Sequence, residues 1–164
     1  MPNWCEGSLK IRGKFEDLKR FCKEEFAVYS IKITREGVFT ELDKNATKIM
    51  CGDEEGAEEF WMQFDREAHI NGTRRNFVTS SDIDFFDNGD KSICVVEFKA
   101  AWGIDPAPYL ELAKKYNVDI RLYGFERGME FNQEVIIENG EIIKDEEIKF
   151  DDYDWECVMP HLGG

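Results

Sequence analysis

Segment 131–148 constrains the fold more than any other part of the chain, because two runs of alternating residues meet at Asn139-Gly140. Asn-Gly readily adopts the positive φ that a two-residue hairpin loop demands, so 131–138 and 141–148 are expected to form an antiparallel hairpin. An isolated two-stranded ribbon is marginal in water, so this hairpin must join a larger antiparallel sheet.

Material for that sheet runs through the chain. Leu9 and Ile11 alternate with Ser8, Lys10 and Arg12 up to Gly13, the period of a half-buried strand. Phe15, Leu18, Phe21, Cys22 and Phe26 then recur at helical spacing. Ile31 and Ile33 alternate with polar residues before turn signals at Gly37 and 42–45, so 29–50 reads as irregular with short extended pieces. Asp53 is placed to cap a helix whose Ala57, Phe60, Trp61, Phe64 and Ala68 share one face. Two extended runs, 76–86 and 92–102, flank Asn88-Gly89 as a second hairpin signal, with Cys94, Val96, Phe98, Ala100 and Trp102 on one face. Asp105-Pro106 opens a helix with Tyr109, Leu112, Ala113 and Tyr116 inward, and Val118, Ile120 and Leu122 form a further strand.

Setting aside an insertion at about 30–70, the order is β-α-β-β-α-β plus a terminal hairpin. The sequence therefore predicts one α+β domain over 1–164: a ferredoxin-like split βαβ antiparallel sheet with helices on one face, an inserted helix and a C-terminal β-hairpin. A length of 164 residues suits one domain with one core.

Charge restricts function. The chain carries 35 acidic and 21 basic residues, a net charge of −14, and residues 125–164 hold 12 of the acidic residues against 3 basic ones. Gripping a phosphate backbone needs clustered Lys and Arg, so direct nucleic-acid binding is not expected. Asp145, Glu146, Glu147, Asp151, Asp152, Asp154 and Glu156, interleaved with Tyr153 and Trp155, form the candidate partner-binding surface, and its partner would be a protein with a basic surface. No apolar run reaches the roughly 18 residues of a membrane-spanning helix, so no membrane association is expected. Five cysteines without a CxxC pair read as reduced thiols in a cytosol.

Catalytic and metal signals are weak. Two histidines and scattered cysteines do not make a zinc set, and Asp82, Asp84, Asp87 and Asp90 lack the spacing of a calcium loop. No phosphate loop, GxSxG or HExxH is present. No catalytic residue, metal or cofactor is assigned.

The opening Met1-Pro2-Asn3-Trp4-Cys5-Glu6, followed by 9–13, resembles the start of the YubB ferredoxin-like family of phages, plasmids and integrated elements. Asn71-Gly72-Thr73 is similar to that family's Asn-x-Gly-Thr element, and Trp102 before a proline-containing helix start is similar to its Trp-Ser-Pro-Pro. Glu126-Arg127-Gly128-Met129-Glu130-Phe131 resembles its Glu-x-Gly-Met-x-Phe turn. Gly128 is expected to supply a left-handed turn there, with Met129 and Phe131 filling the core. The family's Ile-x-Pro-Met-Pro segment is missing, and Arg74-Arg75-Asn76 stands where a second tryptophan is usual. The resemblance implies the ferredoxin-like fold and a mobile-element origin in a bacterial cytosol, and carries no activity with it.

The functional expectation is a non-catalytic phage or mobile-element interaction protein, an acidic DNA-mimic-type inhibitor of a host nucleic-acid-handling defence protein. Two alternatives stay open: a self-associating structural or regulatory module, such as a homodimer, and a small enzyme using pocket carboxylates.

Overall fold

Alternating apolar residues put most of the chain into extended backbone, and every strand pairing in the computed structural model, which describes residues 2–54 and 57–164, is antiparallel. The elements run β1 (Trp4–Gly13), α1 (Phe15–Glu25), β2 (Phe26–Ala27), β3 (Tyr29–Thr34), β4 (Gly37–Leu42), β5 (Thr47–Glu54) and β6 (Ala57–Phe64). They continue with β7 (Ala68–Ile70), β8 (Asn76–Val78), β9 (Asp82–Phe86), β10 (Ser92–Ala101) and α2 (Pro106–Tyr116). β11 (Asp119–Glu126), β12 (Phe131–Glu138), β13 (Glu141–Lys149) and α3 (Tyr153–Glu156) complete the order.

The main sheet has eight strands in the order β13-β12-β11-β1-β10-β8-β7-β2. Leu9, Ile11, Cys94, Val96, Phe98, Ile120, Leu122, Val135 and Ile137 all point to one face and are buried there. α1 covers that face with Leu18, Phe21 and Cys22, and α2 with Tyr109, Leu112, Ala113 and Tyr116. The helices meet where the Phe21 and Tyr116 rings stand edge to face at 5.2 Å. Asp105 caps α2 by accepting a hydrogen bond from the Ala107 amide, with Pro106 at the first helical position as the sequence suggests. At the β12–β13 turn both Asn139 and Gly140 have positive φ, 51° and 73°, which is the geometry of the two-residue hairpin loop.

The expected inserted helix is absent: 57–64 is β6, central in a three-stranded sheet of order β5-β6-β9. Residues 55 and 56 of that expected helix lie outside the described residues. Phe60 and Phe64 fit a helical face, but Phe60, Met62 and Phe64 also alternate, and pairing with β5 and β9 selects the alternating set for burial. These three side chains and Phe85 pack beside α1, with Phe15 edge to face on Phe85 at 5.4 Å and Phe26 on Phe64 at 6.4 Å. The region expected to be irregular with short extended pieces, 29–50, forms the β3–β4 ribbon and the first half of β5.

The second expected hairpin is also split. β8 pairs with β10, whereas β9 leaves the main sheet to pair with β6. Asp87 Oδ1 accepts the Gly89 amide and Ser92 Oγ accepts the Asn88 amide, so side chains shape the turn between β9 and β10.

Two carboxylates tie the sheet together. Asp119 is part-buried, which pushes its pKa up, but the Asn139 amide, Arg12 and Lys91 outweigh burial and hold it below the usual value. Glu134 is held low by Lys144 and, against burial, by Arg121. A depressed folded-state pKa contributes stability that is complete above the unfolded value of about 4 and is lost as pH falls through the folded value. Thermal unfolding of Asp119→Asn should therefore show a smaller loss of midpoint between about pH 5 and pH 3 than the parent protein. Parallel acid limbs would contradict this assignment.

Candidate interaction surface

In an antiparallel sheet the start of β1, the end of β10 and the β7–β8 and β11–β12 turns all lie at one end, so the four motif segments converge there. Asn3 joins the strand end at Trp102 to the Gly128 turn. Its carbonyl accepts the Trp102 amide at 2.9 Å, and its side-chain amide fills the space a Gly128 Cβ would need. Trp4 is half-buried beside Phe77, with the Lys99 ammonium 4.7 Å and the Arg75 guanidinium 5.6 Å from its ring centre. The Asn71 side chain donates to the Glu24 carbonyl at the end of α1 and accepts from the Tyr29 hydroxyl, Gly72 has a φ of 80°, and Thr73 Oγ donates to Ile70 O.

Glu126 is fully buried and accepts the Gly128 amide at 3.0 Å and the Met129 amide at 2.7 Å, so its carboxylate clasps the β11–β12 turn. Three expectations change here. Gly128 does not take the left-handed conformation; Glu130 does, with φ 58°. Met129 is 70% exposed instead of filling the core, whereas Phe131 is buried. Trp102 is 62% exposed because β10 ends at Ala101 and a φ of 71° turns the indole off the buried face that Ala100 still occupies.

The thiols offer no nucleophile at this end. Burial, reinforced by Glu126, pushes Cys5 up to about 12. Cys22, hydrogen-bonded to Cys94 and fully buried, is also raised, and all five cysteines are free. Among the described residues no three His, Cys, Asp or Glu side chains gather where they could hold a metal.

The acidic C-terminal segment divides into two parts. Along β13, Asp145 stands opposite Val135 and Glu147 opposite Gln133 on the helix-bearing side, while Glu146 stands opposite Glu134 on the other. Each has a partner: Asp145 accepts from Gln133, Glu146 pairs with Lys144 at 2.8 Å and Glu147 with Lys149 at 3.1 Å. Beyond β13 the chain closes a tight turn. Asp152 caps α3 by accepting the Trp155 amide, and Glu156 accepts the Asp151 and Asp152 amides. Tyr153 and Cys157 are buried, so Tyr153 does not face a partner. Its hydroxyl and the Cys157 thiol reach Asn132 Oδ1, and its ring meets Phe150 edge to face.

This rooting leaves Trp155 86% exposed among Asp151, Asp152, Asp154 and Glu156, all exposed. None of those four carboxylates is in an ion pair among the described residues. Val158, 88% exposed, extends the apolar tip, and no sequence signal marked it.

A second exposed apolar surface lies on the β3–β4 ribbon. Register places Tyr29 opposite Leu42, Ile31 opposite Thr40 and Ile33 opposite Val38 on one face, with Ile33 81% exposed. Among the described residues neither edge of the ribbon pairs with another strand.

No helix among the described residues is long and apolar enough to cross a membrane. Comparisons with protein-family models, curated proteins and solved structures return no match to this chain.

Proposed function

We propose that this protein is a non-catalytic interaction module that docks Trp155, set among four carboxylates, onto a basic surface of a nucleic-acid-handling protein. The observation that carries this reading is the fixed exposure of Trp155: its backbone is locked by Asp152 and Glu156, and the turn is anchored through Tyr153 and Cys157. A tryptophan whose backbone is already fixed loses little main-chain freedom on docking, and tryptophan is enriched among residues that dominate interface energy. The unpaired carboxylates and the net charge of −14 would draw in a positively charged partner and repel nucleic acid from the same surface. In this way the protein would compete with DNA for a host defence or maintenance protein.

The strand order β11-β1-β10-β8, with α1 after β1 and α2 after β10, supports reading the core as a ferredoxin-like split βαβ unit extended by β12–β13 on one side and β7–β2 on the other. Together with the N-terminal motif, that order favours kinship with the YubB proteins and a mobile-element origin in a bacterial cytosol. Calorimetric titration against basic DNA-binding proteins of such a host, at rising salt, tests the function. Affinity that falls with salt and is competed by duplex DNA supports docking; affinity indifferent to both argues against it.

The β3–β4 ribbon favours a second reading, self-association through its apolar face and open edges. Sedimentation velocity should then show a dimer that Ile33→Lys with Val38→Lys dissolves. A parent protein that sediments as a monomer at all concentrations ends this reading.

A further inference from the structure

At the end of the sheet opposite the motif cluster, Arg12, Lys14, Lys91 and Lys114 line a cavity of about 530 Å³ together with Asp90 and Asp119. We propose that this cavity binds a phosphoryl group carried on a compact organic body of nucleotide size. In a chain with a net charge of −14, four cations drawn from the end of β1, the start of α1, the loop before β10 and the last turn of α2 converge on one hollow. One of its two carboxylates is already engaged: Asp119 accepts from Arg12, from Lys91 at 3.3 Å and from the Asn139 amide at 3.1 Å.

Asp119 therefore positions Arg12 and Lys91 more than it repels an anion. Lys14 and Lys114 are exposed and join no ion pair among the described residues, so their charge is unspent. Lys114 lies along the β12–β13 turn, its Cγ 3.4 Å from where a Gly140 side chain would begin, which holds its stem at the cavity wall. Lys14 is the N-terminal cap of α1 and makes no side-chain cap; the positive end of the helix lies beside it, offset in part by Glu16 and Asp17 in the first turn. At the end of α2, Asn117 and Val118 both donate to the Ala113 carbonyl, and Lys114 and Lys115 in the last turn offset the negative end of that helix.

The volume falls in the range of about 300–1,000 Å³ typical of small-ligand sites, larger than a bare phosphate requires. The strongly acidic remainder of the protein does not forbid an anion here. At physiological ionic strength the screening length is about 8 Å, so a bound phosphoryl group responds chiefly to the charges lining the cavity, four cations against Asp90 and Asp119.

Calorimetry of the full chain with ATP, adenosine, inorganic phosphate, and an oligonucleotide bearing either a 5′-phosphate or a 5′-hydroxyl tests the proposal. ATP is expected to bind, adenosine not, and Lys14→Ala with Lys114→Ala to weaken ATP at least tenfold while the paired Lys→Arg changes retain it. Both lysines are exposed, so an unchanged thermal midpoint verifies that the variants are folded. An oligonucleotide that binds more tightly than ATP only with its 5′-phosphate assigns the group to a strand end; otherwise it belongs to a free nucleotide. No heat with ATP at millimolar concentration, adenosine binding equal to ATP, or an unaffected Lys→Ala pair overturns the proposal. Since the cavity is far along β12 from Trp155, either outcome leaves the docking reading untouched.

Discussion

Gly7→Ala is expected to cost roughly 4 kcal/mol of stability, at the upper end of what one substitution does. Gly7 lies in β1 with β10 on one side and β11 on the other, directly opposite Gly124. A Cβ at Gly7 would overlap the backbone carbonyl oxygen of Tyr123, and a Cβ at Gly124 would overlap the Cys5 sulfur. Neither obstruction can move cheaply, because one is backbone within a paired strand and the other a fully buried side chain. For a chain of this size the thermal midpoint should fall by about 10 °C, read by circular dichroism. Gly52→Ala is the control: it lies in β5 with open space around it, so it should change stability by less than about 0.5 kcal/mol. A Gly7→Ala protein melting within a degree or two of the parent would mean that the β1–β11 register is wrong.

Trp155→Ala should leave stability within about 0.5 kcal/mol of the parent, since the side chain is mostly in water already. Its effect on partner binding should be large, about 2 kcal/mol or more, which is roughly a thirtyfold rise in Kd. Neutralising the surrounding charge is a separate test. Asp151→Asn, Asp152→Asn, Asp154→Asn and Glu156→Gln together keep acceptor atoms for the amides that Asp152 and Glu156 hold, so the turn should persist. The combined variant should associate more slowly, with a shallower salt dependence, and dissociate at a less altered rate. Surface plasmon resonance separates the two effects. If Trp155→Ala binds as the parent does, the indole is not the anchor.

Local chemistry made part of this architecture readable. Asn139-Gly140 fixed its hairpin through backbone preference, and the inner stripes of α1 and α2 matched their burial because one face of each helix meets one sheet. What was hidden depends on distant partners. Phe60 and Phe64 satisfy two periodicities at once, and only β5 and β9, closing on either side of them, decide for the strand. Trp102 continues an alternating pattern in sequence, yet one left-handed residue at the strand end turns it outward. The acidic segment was visible as composition, but which carboxylates remain unpaired depends on Lys144 and Lys149 within the hairpin itself. The cationic cavity left no local mark at all, since Lys14 and Lys114 are brought together only by closure of the sheet.

The most direct test of docking through Trp155 is to keep the tryptophan, place a photo-cross-linking residue at position 158, where Val158 is 88% exposed on the same tip, and irradiate the folded protein in a bacterial lysate, with and without excess duplex DNA. An adduct with a basic nucleic-acid-binding protein is expected, suppressed by the DNA, by high salt and by Trp155→Ala. The absence of any adduct from position 158, or an adduct whose yield ignores DNA, salt and Trp155→Ala alike, contradicts docking through this tip.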